Sequence, residues 1–174
     1  MALDHVKSAA ITNLDAGTAV TGGEGTPAYL KEVSGFTTAV AASTVNSTYQ
    51  FCRIPSNCKV KSIIFESEAQ TAGAIDIGLY RATDGQGGQP TTLLAANAID
   101  QDFFASAVSA AAAVAPTEVV NESLTYTLDK RNQPIWQAVG LTSDPGGMFD
   151  VVGTVQTAVT TGTGKWGLSV RFVE

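Results

Sequence analysis

At 174 residues the chain is long enough to bury a proper core, and one domain is its simplest organisation. Its net charge is -6 and it holds no cluster of Lys or Arg, so it lacks the basic face that a nucleic-acid binder turns toward phosphates. Only 15% of its residues are charged, against about a quarter in ordinary globular proteins, which suits either a surface covered by other subunits or a monomer rich in Thr, Ser and Ala.

The first residues, MALDHVKSAAITNLDAG, lack the continuous apolar core of a signal peptide. No segment approaches the ~18 consecutive apolar residues of a membrane-spanning helix. The expectation is a soluble protein made in the cytoplasm. Residues 1–35 read as an extended N-terminal arm, with Val6 to Thr12 as a possible short strand. Gly17, Gly22, Gly23, Gly25 and Pro27 then resist regular structure. Such a segment gains order by lying on something, whether a neighbour or its own domain.

Residues 36–174 read as an all-β domain. Phe36 to Ala42 is a weak strand. Thr48 to Ile54 is stronger, with Tyr49, Phe51 and Arg53 on one face. After the break at Pro55-Ser56-Asn57 comes the longest run, Cys58 to Ala69. Its parity is mixed: Ile63 and Phe65 fall with Lys59 and Lys61, so either both faces are partly covered or a bulge shifts the register. Ile75, Ile77 and Leu79 alternate with Asp76, Gly78 and Tyr80 in a half-buried strand.

Thr83 to Asn97, TDGQGGQPTTLLAAN, is a loop longer than compact domains ordinarily use, and so a candidate contact element. Asp100 to Ala113 reads as a helix. Asp100 suits its N-cap, Pro116 follows its end, and Phe103, Phe104, Ala107, Val108 and Ala111 form an apolar stripe. Leu124, Tyr126 and Leu128 alternate with Ser123, Thr125 and Thr127 as a strand. Pro134 opens a short helix, PIWQAVG, capped by Gly140, with Trp136 and Val139 as anchors. Asp144 to Gly147 is a turn, and Met148 to Val155 is a strand with Phe149, Val151, Gly153 and Val155 on one side. After the loop from Thr160 to Gly164, Trp166, Leu168, Val170 and Phe172 alternate with Lys165, Gly167, Ser169 and Arg171, the cleanest strand pattern in the chain. Seven or eight strands, one or two short helices and short turns favour an antiparallel, jelly-roll-like β-sandwich. An immunoglobulin-like sandwich is the alternative, without its Cys…Trp…Cys spacing.

Chemistry is sparse. The single histidine, His5, lies outside the apparent core, so no Ser/His/Asp or Cys/His arrangement forms around it. Glu66 and Glu68 share a strand face as a carboxylate pair would, although exposed acids at this spacing are ordinarily solvated. Asp84 to Gly88 lacks the ligand array of a Ca²⁺ loop and the Gly-Lys-Ser/Thr of a phosphate loop. Cys52 and Cys58 flank a turn and could pair across a hairpin, but a reducing compartment makes free thiols the default, and no His or acid stands at zinc spacing. Trp136 and Trp166 fall on packed positions rather than on a sugar-binding platform.

The order YQFCRIPSNCKVKSI, AIDIGLYRATDG, DQDFFASAVS, PIWQAVGL and a closing GLSVRFV resembles the small proteins of tailed-bacteriophage virions that decorate or cement the head shell. Its landmarks are Arg53 to Asn57, Asp76 to Tyr80 and Asp100 to Ala105, and it covers roughly residues 36–174. The resemblance implies a β-sandwich core, often a jelly roll, and no enzymatic activity. Its implied partners are the major capsid protein and copies of the chain itself, as a dimer or trimer, on the outer surface of the capsid, without direct contact to nucleic acid or membrane. It supplies no catalytic, cofactor-binding or metal-binding residue. Two readings from outside this class stand beside it: a glycan-binding module, which predicts an exposed aromatic platform near a loop such as Thr83 to Asn97, and a remote hydrolase using Glu66 or Glu68. A tail or neck component is the alternative within the structural class.

Overall fold

The structure, a computed structural model, describes residues 29–82, 97–159 and 164–174. Eight strands are found among them: β1 (Leu30–Thr38), β2 (Thr48–Pro55), β3 (Lys59–Ser67), β4 (Ala74–Arg81), β5 (Ala98–Ser109), β6 (Val114–Glu118), β7 (Met148–Thr157) and β8 (Lys165–Val173). One helical turn, α1 (Ile135–Ala138), follows a 3-10 turn at Lys130–Asn132. The strands form two four-stranded sheets, ordered β1-β8-β3-β6 and β2-β7-β4-β5. Every pairing is antiparallel. Because the chain passes repeatedly from one sheet to the other, this is the jelly-roll order, an all-β sandwich.

Strict period-two patterning produces β8. Trp166, Leu168, Val170 and Phe172 point into the sandwich, and the residues between them face outward. The strand sits between β1 and β3 and pairs with β1 through nine consecutive residues from Lys165 to Val173. In β3 the mixed parity has the second of its two expected causes. The register shifts between Val60 and Ser62, so Lys61 is an extra residue and the inward positions change from Val60 to Ile63 and Phe65.

Several expectations are corrected. Asp100 to Ala113 is not a helix: residues 98–109 form β5, paired with β4 through three register shifts. The adjacent Phe103 and Phe104, which fit a helical stripe, are both buried because the bulged strand twists between them and its partner. Ala107 adopts a φ of 52°, outside any right-handed helix. Its N–H donates to the Asp76 carboxylate at 2.7 Å. A helix here would leave the edge of β4 unpaired. Pro116 does not end a helix but lies in the edge strand β6, where a missing N–H costs no ladder bond.

Leu124 to Leu128 is not a strand either. The segment is a succession of turns pinned by Tyr126, which is buried, donates its hydroxyl to the Val60 carbonyl at 2.9 Å, and packs against Phe103 and Phe104. Alternation there reflects one inward anchor between two exposed leucines. The first strand begins earlier than expected: Leu30–Gly35, placed in the arm, form the front of β1, while Val40 to Ala42 turn away, with Ala42 at a φ of 62°. Gly35 permits this course, since a Cβ there would lie 1.9 Å from the Phe51 carbonyl oxygen of β2. The rest of the arm (1–28), the loop from Thr83 except Asn97, and residues 160–163 lie outside the described residues.

The helix after Pro134 forms as expected, and Gly140, at a φ of 85°, ends it. Its deepest anchors are Ile135 and Ala138, with Trp136 and Val139 packed at the margin of the core. The Ile135 N–H donates to the Cys58 carbonyl at 2.8 Å, so the turn after β2 and the helix hold each other.

Candidate interaction surface

Asp144 folds as the turn residue that its Pro-Gly-Gly context implies. Its carboxylate accepts from Ser56 Oγ at 2.6 Å and from the Gly146 N–H at 2.8 Å, tying the β2–β3 turn to the start of β7. Cys52 and Cys58 are both free and buried, and burial pushes both thiols up to about 12. Thiols so far from ionisation are packing groups rather than nucleophiles. Trp166 is fully buried edge-on to Tyr49, and Trp136 is half-buried against the core, so neither stands as an open platform. His5 and Asp84 to Gly88 lie outside the described residues.

The second sheet offers little open surface, because β4 and β7 are buried on both faces. Polar side chains there satisfy one another. Asp76 accepts from Gln101 and Gln156, Tyr80 bonds to Thr154, and Asp150 pairs with Arg53 through two contacts. Close packing extends to the backbone: a Cβ on Gly78 would lie 2.2 Å from the carbonyl oxygens of Asp100 and Gln101. Beside this sheet, Asp100, Phe103, Lys130 and Gln137 border a concavity of about 450 Å³. Burial, then the adjacent Asp102, raises the Asp100 carboxyl above the ordinary range, with Lys130 pulling weakly the other way.

The first sheet is different. Its outer face is laid with paired polar side chains: Glu32 with Arg171 at 2.6 Å, Ser34 with Ser169 at 2.8 Å, and Ser62 with Glu118, while Lys31 pairs with Glu174 at the end of the sheet. The Arg171 guanidinium holds the Glu32 carboxyl below its usual range. Apolar exposure gathers along β1 and its ends, at Tyr29, Leu30, Phe36 and Val40, with Phe36 73% exposed. β1 is the edge strand of this sheet, nine residues long and without a bulge in its pairing to β8, whereas the opposite edge, β6, is short and carries Pro116. Long, regular, apolar edges are the kind that other chains pair with or pack on. A second exposed pair, Leu124 and Leu128, flanks the buried Tyr126, with Leu124 held at a φ of 61°.

Glu66 and Glu68 also lie on the first sheet and are exposed. One Glu68 carboxylate oxygen accepts the Lys165 N–H at 2.8 Å, which closes the β3–β8 pairing. Glu66 stands across from Gly167, and its carboxylate has no hydrogen-bond partner among the described residues. The two acids border an open groove together with Phe36, Val114, Lys165 and Gly167. Sequence reasoning isolated the acids but not Phe36 or Gly167 as their neighbours, because the pairing of β1 and β3 with β8 brings these residues together.

The chain matches no protein-family model and no curated protein. It does share its fold with a solved structure. A chain in the structure of the cyanophage Pam1 capsid asymmetric unit superimposes with a TM-score of 0.51 at 14% identity, over 89% of this chain and 91% of that one. The likeness therefore runs through the whole jelly roll, not through one hairpin.

Proposed function

We propose that this chain is a structural protein of a tailed-phage virion that decorates and cements the shell of major capsid protein. One observation carries the reading: the fold is shared almost end to end with a chain of a cyanophage capsid assembly. The order of segments from Tyr49 to Val173 supports it independently, through its resemblance to head-decorating proteins. Its role on the shell is mechanical and non-enzymatic. The partners are the major capsid protein and further copies of this chain, as a dimer or trimer, on the capsid's outer surface.

The physical chemistry fits. A cement protein needs contact area, about 800 Å² on each partner for a stable interface, more than it needs a deep pocket. The edge strand β1 supplies a continuous surface with Tyr29, Leu30, Phe36 and Val40 exposed along it. Paired charges such as Glu32–Arg171 and Lys31–Glu174 sit beside that strip, where a polar rim surrounds an apolar contact.

The test is the composition and strength of purified heads. Mass spectrometry is expected to find this chain in DNA-filled heads, and heads assembled without it are expected to release their DNA at a lower temperature. Heads free of the chain overturn the proposal. Localisation on the tail or neck by immunogold labelling replaces it with the tail or neck reading.

A further inference from the structure

The outer face of the first sheet carries a notch that its own strands do not fill. Phe36 of β1 and Glu66 of β3 both pair with Gly167 of β8, so the three residues stand in one row across the sheet. Its two neighbours raise side chains on the solvent side, and Gly167 raises none. A cavity of about 360 Å³ results, floored by Gly167 and bordered by Phe36, Glu66, Glu68, Val114 and Lys165. One water occupies ~30 Å³ of the liquid, so the space suits a long side chain.

Its walls differ in chemistry. Phe36, 73% exposed, and Val114 present apolar surface. The Glu66 carboxylate has no hydrogen-bond partner among the described residues, and Glu68 uses one carboxylate oxygen on the Lys165 N–H. Among the described residues Lys165 is the one cation on the border, and its ammonium lies over the Phe36 ring at 5.5 Å. Among the described residues neither acid is ion-paired. Two carboxylates beside an apolar wall match a side chain with a hydrocarbon stem and a cationic head. Lysine and arginine have that form, and their heads recognise carboxylates by charge and hydrogen bonding.

We propose that this notch receives a lysine or arginine side chain projecting from the protein on which the chain docks. The partner's identity rests on the virion reading above, whereas the preference of the notch for a cationic side chain is a property of this chain alone. The notch opens beside the exposed strip of β1, so one partner can cover both.

Gly167 gives a clean way to close the notch. A Cβ there meets the Glu66 Cγ and Oε1 at 3.0 Å, the movable part of a flexible side chain, and its φ is not in the left-handed region. Gly167→Leu therefore fills the space while leaving the sheet intact, as an unchanged melting temperature checks. Titration with agmatine, which is arginine without its carboxyl group, followed by amide NMR is expected to shift Phe36, Glu66 and Gly167 with an affinity on the order of millimolar. Gly167→Leu and Glu66→Gln are each expected to weaken binding at least about tenfold, the change a lost charged contact produces. Absence of localised shifts overturns the inference, as does equal binding of uncharged butanol.

Binding of the same variants to heads stripped of this chain separates the two proposals. If wild type binds heads and Gly167→Leu binds equally well, the notch is not the docking element and the inference falls while the virion reading stands. If agmatine binds the notch and wild type does not bind heads, the virion reading falls and the preference for a cationic side chain stands.

Discussion

β8 and β5 are both built largely of apolar and small residues, and they reach burial by different routes. β8 alternates from Lys165 to Val173 and lies between two partners. β5 buries Phe103, Phe104 and Ala105 in succession and pairs along one side only, through three shifts of register. One face of β8 packs on the core and the other is open, so its sequence repeats every second residue. An edge strand that bulges around a bulky pair is released from that repeat. In these two strands the regular pattern marks one buried and one open face, and the irregular pattern the place where the sheet bends to meet the Tyr126 turn.

Substitutions can break this contrast, starting with the largest effect. Trp166→Ala removes the largest fully buried side chain of β8 and is expected to cost about 3–5 kcal/mol in chemical denaturation. Since β8 is central, its amides are expected to exchange only through global unfolding, and those of β5 through a smaller opening of the edge. Equal protection of the two strands in native-state hydrogen exchange removes the distinction. Gly78→Ala tests how closely the bulged strand is laid on β4. A Cβ would lie 2.2 Å from two backbone oxygens, which cannot swing aside, so a loss of about 1–3 kcal/mol is expected with the changed exchange confined to β4 and β5.

Tyr126→Phe keeps the rings that hold β5 and deletes only the hydrogen bond to the Val60 carbonyl. An expected loss of about 1 kcal/mol, read from the denaturation midpoint at unchanged slope, separates that bond from the packing. Asp100→Asn is the smallest change and opposite in sign. Burial and Asp102 raise the Asp100 carboxyl, so its contribution to stability is full below the unfolded value and lost as pH rises through the folded one. Asparagine is therefore expected to raise the melting temperature slightly at neutral pH. That advantage disappears below the ordinary Asp value of ~3.9. An advantage that persists in acid assigns the gain to something other than this carboxyl.

Much of the first sheet was legible. The alternation from Trp166 to Phe172 marked β8, and the conflict of parity between Val60 and Ile63 left a covered second face or a bulge, of which the structure puts a bulge at Lys61. The proline and glycine around IWQAV marked the helix, and Asp144 marked its turn. The interaction surface was only partly legible. Glu66 and Glu68 stood out as a pair, but their setting depends on Phe36, about thirty residues earlier in the chain, and on Gly167, about a hundred later. Neither carries a local signal of its own.

What the sequence determined by itself is the class: two-residue periods with turn residues between them. Those features are local, since a strand's two faces are written into successive residues. Tertiary structure decided the rest. It made residues 98–109 a strand because the edge of β4 needed a partner more than two adjacent phenylalanines needed a helix. It began β1 at Leu30 because β8 offered a long, regular edge to pair with. It also created the notch, since only the cross-strand register sets a glycine from near the end of the chain between an aromatic and an acid from its first half.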